Sequence, residues 1–222
     1  MTVLSLLLLA AVIFILGNLL LLPLWLAATS LTGALSAPAQ FLKIAGNRRL
    51  RQNHALEHAT LNVLEERFGR QRLSGMSRED GFILRGYGDP ALIQWAAEEG
   101  LARLKRGEGG LALHDRCGTS IASANLVSSV VLLVLLFGLG RFSLLNVVGA
   151  MVLANLGGPV LGRLFQRFLT TTAVVDDVFI VGFDCGPAGS VWNPFFVNPA
   201  FGGVPLVCHV RTVALPAGRD RP

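Results

Sequence analysis

The residues best suited to chemistry lie in one short stretch, Asn53-His54-Ala55-Leu56-Glu57-His58. His54, Glu57 and His58 follow the order His-x-x-Glu-His, the inverted form of a zinc motif. On a helix these three positions project within an arc of about 100°. Two imidazoles one turn apart can then grip one ion, and the carboxylate of Glu57 beside them can serve as general base or acid. The chain has only four His, so two of them at this spacing carry weight. The plain alternative is a pair of hydrogen-bonded helix histidines.

A zinc site needs three or four donors. Cys117 is the expected third, because it precedes an apolar segment whose helical N-terminus would favour a thiolate. Three protein donors leave one position open, the mark of a catalytic site. His114 competes for that place. If residues 111–116 form a strand, 114 and 117 point to opposite faces, so His114 is the alternative ligand or an outer, orienting residue. Asp115 is either an acceptor that orients a histidine or a solvated turn charge. Cys208 and His209 are adjacent on an expected strand and diverge, and Cys185 in a Gly/Pro-rich loop has no expected role. Three Cys make no even disulfide framework and suit a reducing compartment.

Around these residues the pattern supplies a compact set of elements. Residues 53–68 read as the motif helix, closed by Gly69. Residues 72–77 and 82–87 read as strands joined at Arg78-Glu79-Asp80-Gly81, a hairpin signal. Asp89-Pro90 caps a helix expected over 91–106, and residues 111–116 read as a third strand. The order α-β-β-α-β implies a small α+β layer. Residues 178–183 and 206–213 read as strands of a β-rich tail able to extend the same sheet.

The flanks read differently. Hydrophobic residues make up 52% and charged residues 15% of the 222, too apolar for an ordinary soluble domain. No charge occurs over residues 1–42, 121–140 or 142–162, each long enough to cross a bilayer core. Pro23 would break the first of these, leaving residues 24–42 as a second span, a re-entrant piece or an interfacial helix. The expected fold class is therefore a membrane protein of α+β type. It has three or four transmembrane helices, an inserted α-β-β-α-β domain and a β-rich C-terminal tail. Its expected divisions are 1–45, 46–120, 121–170 and 171–222. Lys43, Arg48, Arg49 and Arg51, with Arg163 and Arg167, place the inserted domain on the cytoplasmic side of a bacterial inner membrane.

The stretch His54-Ala55-Leu56-Glu57-His58, followed by Cys117-Gly118-Thr119, resembles S-ribosylhomocysteine lyase, a relative of inverzincin-type peptidases. The resemblance covers residues 48–120. It implies zinc or iron held by His54, His58 and Cys117, with Glu57 as acid/base. The second Cys that the lyase uses as acid/base has no counterpart between His58 and Cys117. The carboxylate ligand of inverzincins would fall in the uncharged segment 121–140. The whole chain is similar to bacterial integral membrane proteins that share the Asn-His-Ala-Leu-Glu-His and Cys-Gly-Thr signatures, a family with no assigned activity.

These readings converge on a membrane-anchored, zinc- or iron-dependent enzyme, hydrolase-like, with its site at the cytoplasmic face. The competing reading is a non-enzymatic membrane protein whose polar domain is structural or binds a partner. Transport ranks last, because the segments 121–140 and 142–162 hold no ionisable residue. Expected partners are the lipid bilayer, a substrate of undefined class and a second copy of the chain. The net charge of +5 sits beside apolar segments and shows no basic run interleaved with aromatics, so nucleic acid is not expected.

Overall fold

A computed structural model describes residues 3–115, 117, 126–127, 129–131, 134, 144–188 and 205–215. The chain divides into two compact units, Met1–Gln40 with Ser120–Gly162, and Phe41–Thr119 with Arg163–Pro222. The helices are α1 (Val3–Ala45), α2 (Arg48–Phe68), α3 (Pro90–Lys105) and α4 (Leu144–Phe165). The strands are β1 (Arg72–Arg78), β2 (Gly81–Tyr87), β3 (Val178–Pro187) and β4 (Leu206–Ala214). A 3₁₀ turn covers Gly109–Ala112 and a π turn covers Gln166–Thr170.

The apolar segments depart from expectation. Among the described residues no helix is long and apolar enough to cross a membrane. This overturns the three or four transmembrane helices, the integral-membrane fold class and the inner-membrane location with a cytoplasm-facing domain. The expectation rested on runs without charge, and such a run is not yet a delimited span. Residues 3–45 form a single helix of 43 residues, about 65 Å long at 1.5 Å per residue, which runs on through Pro23 where a division was expected. Its sequence contains Asn18, Thr29, Ser30, Thr32, Ser36 and Gln40 among the apolar residues. Most of residues 121–140 lies outside the described residues.

The second unit is a helix layer on a four-stranded antiparallel sheet of order β1-β2-β4-β3. The tail strands extend the hairpin's sheet, with β4 inserted next to β2 in the register Phe82↔Val210 and Leu84↔Cys208. Phe82, Leu84, Cys208 and Val210 turn one face into the core, against Leu56 and Ala59 of α2 and Ile93, Ala96 and Ala97 of α3. At the α2–α3 crossing a Cβ on Gly100 would lie 3.1 Å from the backbone of Ala59, so Gly lets these two helices approach closely.

Local signals explain the element ends. Asn47 caps α2, its side chain accepting from the Leu50 N–H at 3.1 Å, and Gly69 ends the helix at φ 71°. Asp89 caps α3 by accepting from the Ala91 N–H at 2.8 Å, with Pro90 at the first helical position. Two expectations fail here. The third strand expected at 111–116 is absent among the described residues: a 3₁₀ turn covers Gly109–Ala112, and Leu113–Asp115 belong to no strand. Cys185 and Cys208 face each other across β3 and β4 and form a disulfide. The expected absence of a disulfide counted cysteines without knowing that these two strands pair.

Candidate metal centre

α2 is buried on every side over Gln52–Leu61. The sheet, α3, the 3₁₀ turn and the π turn each cover part of it. A helix enclosed in this way must satisfy its polar side chains internally. Asn53, the first residue of the motif, does so by clamping the hairpin turn. Its amide donates to the carbonyls of Arg78 at 2.7 Å and Glu79 at 3.1 Å, and its carbonyl accepts from the Thr212 hydroxyl at 2.6 Å. Gln52 donates to Val174 O and to Asp177 Oδ1. These contacts tie α2 to the hairpin and to the tail.

His54 and His58 each turn Nδ1 to a backbone carbonyl. His54 Nδ1 lies 3.0 Å from Thr170 O, and His58 Nδ1 lies 2.7 Å from Ala112 O. A carbonyl only accepts, so Nδ1 carries the proton in both rings and Nε2 presents its lone pair. The two Nε2 atoms face Cys117. His54 Nε2 is 3.1 Å from Cys117 Sγ, and His58 Nε2 is buried without a hydrogen-bond partner among the described residues. Donor atoms of His54, His58 and Cys117 all lie within 4.8 Å of one another, and all three side chains are buried. This buried group could hold a metal ion. Its chemistry fits one: two imidazole nitrogens and a sulfur suit zinc or iron. Nδ1–H to carbonyl is the orienting contact that metal-ligating histidines usually make. Burial pushes the His58 imidazole well below its ordinary range, and neighbouring His54 adds to the effect, so the ring is held neutral and ready to donate a lone pair.

Glu57 sits on the same turn of α2 and is 4% exposed. Its carboxylate accepts from the Ser77 hydroxyl on β1. Gly75, two residues earlier on the strand, leaves the space it occupies, since a Cβ there would collide with the carboxyl group. Burial pushes the Glu57 carboxyl upward, against the opposing pull of His54 and Ser77.

His114 and Asp115 stand apart. His114 is buried, and its ring centroid is 5.9 Å from that of His58, but it does not belong to the convergent donor group. Its Nε2 lies 3.5 Å from Glu65 Oε2. Its backbone N–H donates to Gln166 Oε1 at 2.8 Å, and its carbonyl accepts from Gln166 Nε2 at 3.0 Å. Asp115 is exposed and pairs with Arg163 at 2.7 and 2.8 Å; it orients no histidine among the described residues. The strand-face argument used to separate His114 from Cys117 fails with the strand. Gln166 pins the His114 backbone to the π turn.

Sequence reasoning missed the supports: Ala112 O, Thr170 O, Gln166, Ser77 and Gly75. Backbone carbonyls leave no side-chain signal. Gly75 did leave one, because a lone Gly inside a strand often marks a close approach of another group.

A family model for a domain of unknown function, DUF6391, matches residues 49–182, which contain every residue of the donor group. An uncharacterized protein of Picosynechococcus sp. (strain PCC 7002) is 35% identical over 156 residues, covering 60% of this chain and 72% of that protein. No solved structure matches the chain. The match spans more than half of the chain, and the protein belongs to the DUF6391 family.

Proposed function

We propose that this protein is a metal-dependent hydrolase, with zinc or iron held by His54, His58 and Cys117 and with Glu57 as its proton carrier. The observation that carries the reading is a buried carboxylate built beside three convergent donors. A purely structural ion needs no such carboxylate and is normally closed by four protein ligands; among the described residues the group has three. The resemblance to the triad of S-ribosylhomocysteine lyase supports the same assignment.

A bound ion supplies Lewis acidity to the substrate's polarised oxygen. Thr170 and Ala112 fix the two imidazoles by accepting from Nδ1. Ser77 and Gly75 hold Glu57 against β1. In this reading Glu57 takes a proton from water as the water oxygen bonds to the substrate's electrophilic carbon. It returns that proton to the leaving group as the scissile bond breaks.

Elemental analysis of the purified protein, followed by turnover of an activated aryl ester with and without chelator, tests the reading. About one equivalent of zinc or iron and chelator-sensitive turnover are expected. Metal that is retained while Glu57→Gln turns over as fast as wild type would refute the enzymatic role.

A further inference from the structure

We infer that β1 is the substrate-binding edge of the site and that its ligand is an extended polypeptide segment added to the sheet as a further strand. This deepens the hydrolase reading and rests on it.

β1 is the first strand of the sheet and pairs only with β2 among the described residues. The hydrogen-bond phase shows which of its backbone groups face outward. Thr212 N–H donates to Asp80 O at 2.9 Å, so the even-numbered residues of β2 bond towards β4 and Gly81, Ile83 and Arg85 bond towards β1. Their partners are Arg78, Met76 and Ser74. Antiparallel pairs alternate between bonded and non-bonded, so Leu73, Gly75 and Ser77 turn their N–H and C=O groups to the open edge. Such a row is matched by another extended chain.

The same three residues direct their side-chain positions towards α2. Ser77 contacts Glu57, and Gly75 gives the carboxyl its space. Gly75 itself is exposed. An added strand would run about 4.8 Å from β1, and its residue opposite Gly75 would project on the Glu57 side of the sheet. Strand addition therefore brings a peptide backbone to the carboxylate that the proposed chemistry uses. The opposite edge, β3, is unsuited on two counts. It carries a register shift between Ile180 and Gly182, a device that blunts edges, and it lies at the far side of the sheet from Glu57.

Hydrogen exchange read by mass spectrometry on the full chain tests this. The protein is Glu57→Gln with zinc added, so that a bound peptide is not consumed. The probes are a short extended Ala/Ser/Lys peptide and its fully N-methylated analogue. The unmodified peptide is expected to slow exchange in residues 72–78 by about tenfold or more, as added strand pairing does, while the methylated one and the β3 amides show no change. No slowing in 72–78, equal slowing by the methylated analogue, or slowing on β3 instead overturns the proposal. So does a dimer already protected at 72–78 without peptide, which would assign the edge to a second copy. Zinc content and wild-type ester turnover, measured alongside, separate the two readings. Ester turnover without peptide protection sinks the strand-addition proposal alone, whereas a protein without bound metal sinks the hydrolase.

Discussion

Two neighbourhoods in this unit contain both Cys and His, and they differ in how their parts were brought together. Cys208 and His209 are adjacent in sequence, yet β4 sends them to opposite faces. Cys208 faces the core and bonds to Cys185, while His209 lies 3.8 Å from Asp80. His54 and Cys117 lie 63 positions apart in sequence, yet with His58 they converge on one point. Adjacency on a strand separates side chains, and a helical turn gathers them. The second lesson concerns satisfaction. In the β4 neighbourhood the two sulfurs satisfy each other. In the α2 neighbourhood each imidazole spends its N–H on a carbonyl and keeps a lone pair without a protein donor at His58, the state a metal ligand requires.

The sharpest way to break this contrast is to exchange the roles of the cysteines. Cys117→Ser is expected to lose most of the bound metal, leaving less than about a tenth of an equivalent, since its sulfur is one of three donors among the described residues. Cys208→Ser is expected to keep the metal and instead lose roughly 3 kcal/mol of stability as the disulfide goes. Metal analysis and denaturant melts on the two variants check both arms. Retained metal in Cys117→Ser would remove the sulfur from the ligand set and leave His114 as the alternative.

Next in size is Glu57→Gln. It is nearly isosteric and touches no donor atom, so metal content should hold while hydrolytic turnover falls by about 100-fold or more, as loss of a general base does. Steady-state kinetics beside elemental analysis reads this. A fall in both together would mean that Glu57 supports the ligands rather than the reaction.

Asn53→Ala probes the frame and not the chemistry. It strands the carbonyls of Arg78 and Glu79 and the Thr212 hydroxyl, all of which Asn53 now engages. A loss of about 1–3 kcal/mol is expected for buried groups left unpaired. Thermal unfolding measures it, and the metal stoichiometry should survive in the folded fraction.

Much of the second unit was legible from local signals. Asp89-Pro90 marked the start of α3, Gly81 the hairpin, and runs of β-branched or apolar residues the two tail strands. His54, Glu57 and His58 were legible because helical spacing alone puts them on one face. What the sequence could not show is whatever depends on partners. Residues 111–116 read as a strand, but among the described residues no strand pairs with them. Cys185 and Cys208 became a disulfide only through the β3–β4 register. Ser77 and Gln166 act on residues 20 and 52 positions away, a distance that no local pattern reports. The apolar flanks misled for the opposite reason: absence of charge is easy to count and does not fix where a helix begins or ends.

The smallest effect concerns pH, and it again sets the two sides of the α2 site against each other. Burial pushes His58 below its ordinary 6.5, so the unfolded chain takes up this proton first as the pH falls. The stability that a neutral His58 contributes is complete above about 6.5 and is lost below it, at about 1.4 kcal/mol per pH unit for one proton. Burial pushes Glu57 the other way, above its ordinary 4.5. Its contribution is complete below about 4.5 and is lost as the pH rises through its folded value. In metal-free wild type the two slopes oppose each other wherever Glu57 is protonated in the fold, so the loss of stability below about 6.5 should be shallower than His58 alone would give. Metal-free Glu57→Gln lacks the compensating carboxyl. Its stability should fall more steeply below about 6.5 than that of wild type. Denaturant melts at several pH values on the two proteins check the difference. Parallel profiles would show that the Glu57 carboxyl is not shifted upward in the fold, as its burial beside Gly75 and Ser77 requires.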